Sequence, residues 1–129
     1  MPKIAVFSSK KYDQTFLSQY NNYPDLALSF FETKLSKETV HIAKGFDAVC
    51  IFVNDEVDKT VLTQLSHFGI KAIALRCAGF NNVDVKVAKE LGIKICRVPE
   101  YSPEAVAEHT VGLMLTLSRK FHKAYNRVR

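Results

Sequence analysis

The chain has 129 residues, a formal net charge of +5, and a composition that is 47% hydrophobic and 24% charged. That length supports one core of ordinary size, and the composition excludes a fibrous, low-complexity or disulfide-rich protein. No apolar run reaches the length of a membrane span, and Met1-Pro2-Lys3-Ile4-Ala5-Val6-Phe7 turns polar at Ser8 too soon for a signal peptide, so a cytoplasmic protein with no membrane partner is expected.

In chain order the pattern alternates between strand and helix. Lys3 to Ser9 reads as a first strand, buried on both faces because Ile4, Ala5, Val6 and Phe7 follow one another without a polar break. Lys10 to Asn22 follows as a helix with Tyr12, Phe16, Leu17 and Tyr20 on one face, closed by Pro24. Leu26 to Phe31 is a second strand, and Ser36 opens a short helix that turns Val40 and Ile42 inward and ends before Gly45. Asp47 to Val53 is a third strand, apolar after its first residue and running into Asn54-Asp55. Val57, Val61, Leu62 and Leu65 form the stripe of the next helix, which stops near Gly69. Ile70 to Ala78, Val83 to Leu91 and Ile93 to Pro99 complete the series as strand, helix and strand. Five strands alternating with helices predict an α/β fold: a doubly wound parallel five-stranded sheet with right-handed crossovers and a flavodoxin-like strand order.

After Pro99 the pattern changes. Ser102-Pro103-Glu104 is a helix start, with serine as cap, proline in the first turn and an acid near the positive end of the helix dipole. One long helix is expected from there to Arg129, about 40 Å if unbroken. Its first half is apolar nearly all round, through Val106, Val111, Leu113, Met114, Leu115 and Leu117, and so calls for cover from another domain or subunit. The chain is accordingly expected to be a fragment, organised as residues 1–99 and residues 100–129. Much of the positive charge lies in Arg119 to Arg129, where Phe121, Tyr125 and Val128 form one helical stripe. No binding motif accompanies that charge, so no nucleic-acid partner is expected.

Few groups are placed for chemistry. Cys50, Cys77 and Cys96 sit within or at the end of apolar runs without ligand spacing, which predicts reduced core thiols and no metal site. The glycines nowhere form GxGxxG or a P-loop, so no complete cofactor site is expected on these residues. Glu108 and His109 are helix neighbours pointing in different directions, and His109 reads either as a packing histidine or as a catalytic one. The strand-to-turn junction Ile73-Ala74-Leu75-Arg76-Cys77-Ala78-Gly79-Phe80-Asn81-Asn82-Val83-Asp84 is the most informative stretch. Asn82 or Asp84 is available to cap the helix that follows. A strand end beside a helix N-terminus presents backbone N–H groups favourable to a carboxylate or phosphate, the alternative being a plain turn in which Gly79 serves only the backbone. The loop Ser8-Ser9-Lys10 is expected at the same carboxyl rim of the sheet, as is Tyr101, either as an ordinary loop aromatic or as a ligand contact. A second reading makes the chain a stand-alone binding or receiver module with Asp55 as phosphoacceptor. Ser8 and Ser9 stand where such a module needs acids for Mg²⁺, and Val98-Pro99 stands where it needs a lysine.

Two spaced motifs carry a resemblance. Arg76-Cys77-Ala78-Gly79-Phe80-Asn81-Asn82-Val83-Asp84, followed by Arg97-Val98-Pro99-Glu100-Tyr101-Ser102-Pro103-Glu104-Ala105-Val106-Ala107-Glu108-His109, closely resembles the N-terminal part of the NAD-dependent D-isomer-specific 2-hydroxyacid dehydrogenase family. The similarity extends from Ile4 to Arg129. It implies a two-domain oxidoreductase reducing pyruvate to D-lactate with NADH. Residues 1–99 would form the substrate-binding (catalytic) domain. Residues 100–129 would lead into the NAD-binding domain and make a homo-oligomer interface through the 102–129 helix. It further implies that Ala78 and Gly79 present backbone N–H groups to the carboxylate of a small 2-keto or 2-hydroxy acid, that Tyr101 lines the substrate pocket, and that Val106 borders the nicotinamide of NAD. The family's catalytic arginine, glutamate and histidine and its glycine-rich loop belong to the coenzyme domain. On that resemblance these 129 residues contain no catalytic residue, and the chain alone is expected to be inactive.

Overall fold

The computed structural model describes residues 1–129, which divide into two compact units, Met1–Val98 and Pro99–Arg129. The first unit carries a five-stranded parallel sheet: β1 (Lys3–Val6), β2 (Ala27–Phe30), β3 (Ala48–Ile51), β4 (Ala72–Leu75) and β5 (Lys94–Cys96). The order is β2-β1-β3-β4-β5, the flavodoxin-like arrangement expected from the alternation of strand and helix. Between the strands run α1 (Lys11–Gln19), a short 3₁₀ helix (Val40–Ala43), α2 (Lys59–His67) and α3 (Val85–Glu90). Each strand covers only the middle of its apolar run, because the flanking residues leave the ladder to form the loops at the sheet edges. Asp58 caps α2 by accepting from the Val61 amide, and Asp84 caps α3 by accepting from the Val87 amide. Gly69 and Gly92 end these two helices at φ values of +83° and +71°, a region where a side chain would be strained.

One face of the sheet forms the core. Ala5, Val49, Ile51, Ile73 and Leu75 point to the side where Leu35, Val40, Ala43, Val61, Leu62, Leu65, Ala88 and Ile93 close over them, all buried. The opposite face differs from the expectation of strands buried on both sides. There Ile4, Leu28, Ala48, Cys50 and Ala72 are only half-buried, and with Leu17 and Tyr20 of α1 they line an apolar groove of about 390 Å³. The reason is that α1, nine residues long and itself without a buried residue, is the helix on that side, and it leaves Tyr12, Phe16 and Tyr20 exposed. Of the three thiols, Cys77 is buried and Cys50 half-buried, but Cys96 is exposed on edge strand β5 and is not a core residue. Burial pushes the Cys50 and Cys77 thiols up from the usual range and keeps both protonated.

The second unit consists of α4 (Pro103–Arg119) and α5 (Phe121–Val128). Ser102 caps α4 by accepting from the Ala105 amide at 3.3 Å, as its sequence predicts. The single long helix does not form. Lys120 adopts the left-handed conformation at φ +56°, which interrupts the ladder, and its carbonyl accepts from the Lys123 and Ala124 amides to start α5 afresh. Lysine carries no breaker signal, so the apolar periodicity runs through the break. Val106, Met114 and Leu117 on α4 and Phe121 and Tyr125 on α5 are exposed. No helix is long and apolar enough to cross a membrane.

A Lys120→Gly variant removes the side-chain penalty of the left-handed backbone, an effect of about 0.5–1 kcal/mol. Hydrogen exchange at the Lys123 and Ala124 amides is expected to slow in this variant. Faster exchange would mean that the helix runs through the junction.

Candidate functional site

The carboxyl ends of β1, β3 and β4 are tied together by the buried Asp55 and the half-buried Asn82 and Arg76. The Asp55 carboxylate is fully buried: Oδ1 accepts from Ser8 Oγ and the Leu35 amide, both at 2.7 Å, and Oδ2 accepts from the Phe52 amide at 2.6 Å. Three donors replace its lost hydration, which is what permits a carboxylate in this position. Asn82 completes the turn by donating from Nδ2 to the Phe52 and Asp55 carbonyls at 3.0 and 2.9 Å. Arg76, just past β4, spans the same rim. Its Nη2 donates to the Phe7 and Ser8 carbonyls at 3.1 Å, its Nε lies 3.5 Å from Asp13 of α1, and the guanidinium stands 5.4 Å over the Phe52 ring. Ser8, the partner of both Asp55 and Arg76, holds a positive φ of 50°.

Directly after Arg76 the chain enters the predicted cradle. The Cys77 carbonyl accepts from the Val98 amide at 3.3 Å, and the Ala78 carbonyl accepts from Arg97 Nη1 at 3.1 Å. The buried Cys77 thiol donates to the Gly79 carbonyl at 3.1 Å. Gly79 has ordinary backbone geometry, and a Cβ built on it would meet nothing within 4 Å. Neither the backbone nor packing demands glycine here, which leaves open approach to the main chain as the use of its missing side chain. Gly79 lines, with Val53, Asn81 and Asn82, an open concavity of about 380 Å³.

The structure brings Ala78 and Gly79 together at the sheet rim. Tyr101 and Val106, the other two residues singled out from the sequence, belong to the second unit, where Tyr101 precedes α4 and Val106 lies in its first turn, both exposed. His109 is exposed on α4. The roles of Arg76, Asn82 and Arg97 in the rim had no distinct signature beyond single polar residues closing apolar runs.

A family model described as the catalytic domain of D-isomer specific 2-hydroxyacid dehydrogenase matches residues 4–129. The chain belongs to this family. Its sequence is 54% identical over 127 residues to D-lactate dehydrogenase of Escherichia coli K12, a match covering 98% of this chain and 39% of the relative. The apo-structure of the D-lactate dehydrogenase from Escherichia coli aligns with a TM-score of 0.85 at 54% identity, covering 98% of this chain and 41% of that one. A D-lactate dehydrogenase with NAD⁺ from Lactobacillus jensenii aligns at 32% identity with a TM-score of 0.71, covering 94% of this chain and 37% of that one. The chain thus spans about two fifths of the length of the relatives it matches. For this family a receiver role for Asp55 has no support, and the structure gives the physical reason. The carboxylate is fully buried and both of its oxygens are engaged, so no phosphoryl donor reaches it without breaking the rim.

Asp55→Asn is expected to destabilise the first unit by roughly 2–4 kcal/mol, because an amide nitrogen turned toward the Phe52 or Leu35 N–H leaves a buried donor unpaired. Urea unfolding reads the loss, and a change below the error of that measurement would show that the carboxylate does not hold the rim.

Proposed function

We propose that this chain supplies the substrate-binding portion of an NAD-dependent D-2-hydroxyacid dehydrogenase that reduces pyruvate to D-lactate in the cytoplasm. The observation that carries the reading is the Cys77-Ala78-Gly79 turn. Its carbonyls are occupied on one side by Val98 and Arg97, its glycine is required by nothing around it, and it lies at the carboxyl rim of a parallel sheet. In open α/β sheets ligands bind outside the carboxyl ends of the strands, and paired backbone N–H groups suit a carboxylate. On this reading Ala78 and Gly79 hold the carboxylate of the 2-keto acid and Tyr101 closes the substrate pocket. Val106 borders the nicotinamide, residues 1–99 are the substrate domain, and residues 100–129 lead into the coenzyme domain.

The residues present do not make a complete dinucleotide site. Gly45, Gly69 and Gly92 hold left-handed turns, Gly112 lies inside α4, and Gly79 stands alone in the loop after β4, so no GxGxxG loop opens a helix at a strand end to receive a pyrophosphate. The part assigned to the chain is to bind and orient the substrate, with hydride and proton transfer served by groups outside it. Incubated with pyruvate and NADH, the 129-residue chain is expected to leave the cofactor absorbance unchanged. Joined to the segment that follows the matched region in the Escherichia coli enzyme, it is expected to oxidise NADH only when pyruvate is added. Turnover by the chain alone would overturn this division of labour, and a folded but inactive fusion would overturn the substrate assignment.

We further propose that α4 and α5 form the interface of a homo-oligomer. Val111, Leu113, Met114, Leu115 and Leu117 are at least half exposed on α4, and apolar surface on this scale marks an association site. Glu104 and Glu108 lie at the start of α4 and Arg119, Lys120 and Lys123 at and beyond its end, so two copies related by a two-fold axis match acid to base when they pair antiparallel. Sedimentation equilibrium is expected to show a dimer that weakens when Leu113 and Leu117 are both changed to serine. A monomer at all concentrations would refute the interface.

A further inference from the structure

The two amides of the proposed cradle are aimed by different means. In a planar trans peptide the C=O of one residue and the N–H of the next point in opposite directions, so a partner that fixes the carbonyl also fixes the N–H. The structure has no cis peptide bond. The Ala78 N–H shares its peptide with the Cys77 carbonyl, which the Val98 amide holds at 3.3 Å just past the ends of β4 and β5, two residues out of the register of their ladder. The Gly79 N–H shares its peptide with the Ala78 carbonyl, which Arg97 Nη1 holds at 3.1 Å. The same guanidinium donates to the Val98 carbonyl at 3.4 Å and stands 5.0 Å over the Phe80 ring, so the exposed Arg97 is held against the turn by its own chain neighbour and by the residue after Gly79. Glycine has the most freedom to rotate this peptide, and the space where a Gly79 side chain would stand is empty to 4 Å.

We propose that Arg97 is a positioning residue that turns the Gly79 N–H toward the substrate carboxylate by holding the Ala78 carbonyl on the opposite side of the same peptide. This rests on the carboxylate-site reading of Ala78 and Gly79 given above. A cation on the carbonyl also polarises the peptide and makes its N–H a stronger donor, which a neutral backbone partner such as Val98 does less well. Arg97 therefore acts on Gly79 and leaves Ala78 to the sheet.

The test is a titration of the ¹⁵N-labelled 129-residue chain with oxamate, a non-reacting pyruvate mimic, followed at the Ala78 and Gly79 amides. In the unaltered chain both amides are expected to shift. In Arg97→Ala the Gly79 shift is expected to fall by more than half while the Ala78 shift persists, with the dissociation constant raised about five- to tenfold, since the Gly79 hydrogen bond to the carboxylate is weakened and not abolished. Arg97→Lys, which keeps the charge but loses the planar fork, is expected to recover part of the Gly79 shift. If Arg97→Ala leaves the Gly79 response intact, or weakens both amides equally as a direct or long-range charge would, the positioning role is overturned while the carboxylate site stands. If neither amide of the folded, unaltered chain responds to oxamate, the carboxylate site itself fails and the positioning role fails with it.

Discussion

The rim of the sheet depends on one buried carboxylate. Removing Asp55 from water costs several kcal/mol unless its oxygens are matched, and the three donors that match them come from three separate stretches of chain: Ser8 after β1, Leu35 in the β2 connection and Phe52 after β3. Because none of these partners has another way to satisfy the carboxylate, the strand ends are locked into one mutual arrangement. Arg76 adds a second tie across the same ends by donating to the Phe7 and Ser8 carbonyls, and Asn82 fastens the turn after β4 to the backbone at Phe52 and Asp55.

This rigidity bears on function because the candidate site is made of main chain. A side chain can change rotamer to meet a ligand, whereas a backbone N–H goes only where its peptide goes. Ala78 and Gly79 lie between Arg76, which is anchored to β1 and β3, and Asn82, which is anchored to the β3 loop. The Cys77 and Ala78 carbonyls, which share peptides with the Ala78 and Gly79 N–H groups, are held by Val98 and Arg97 just past β5. In the proposed carboxylate site, a cradle built this way would need little reorganisation on binding, because preorganised donors are worth more than flexible ones. Glycine at position 79 keeps the approach open without being demanded by the backbone.

Elsewhere the molecule leaves apolar surface uncovered. A parallel sheet ordinarily buries both faces, yet the face carrying Ile4, Leu28, Cys50 and Ala72 has α1 beside it and an open groove, and α4 carries a full complement of exposed aliphatic side chains. The small residues Ala48, Ala72 and Ala74 on the open face contrast with Val49, Ile73 and Leu75 on the core face, so the two sides of one sheet were built to different packing thicknesses. Relatives of the family are more than twice as long as this chain, and the uncovered surfaces lie in the part they share with it.

The sequence alone determined the α/β alternation, the parallel sheet and its strand order, the cap at Ser102, and the location of the glycine turn after β4, while the choice of Asp84 over Asn82 as the cap of α3 came from the structure. These features follow from local chemistry and from period: apolar runs of strand length, side chains that cap the helix they precede, and glycine and asparagine where a strand breaks into a turn. The break at Lys120 was invisible because a lysine in the left-handed region carries no local signature, and the exposure of Cys96 was missed because an apolar run in a strand does not say which of its side chains finds cover, even on a strand whose edge position the order implies. The tertiary structure alone decided that Asp55 is a structural anchor, since only folding brings Ser8, Leu35 and Phe52 to its two oxygens. It also placed Arg97, eighteen positions from Gly79 in sequence, against the Ala78 carbonyl, the contact proposed to aim the Gly79 N–H, because that contact exists only when β5 lies beside β4.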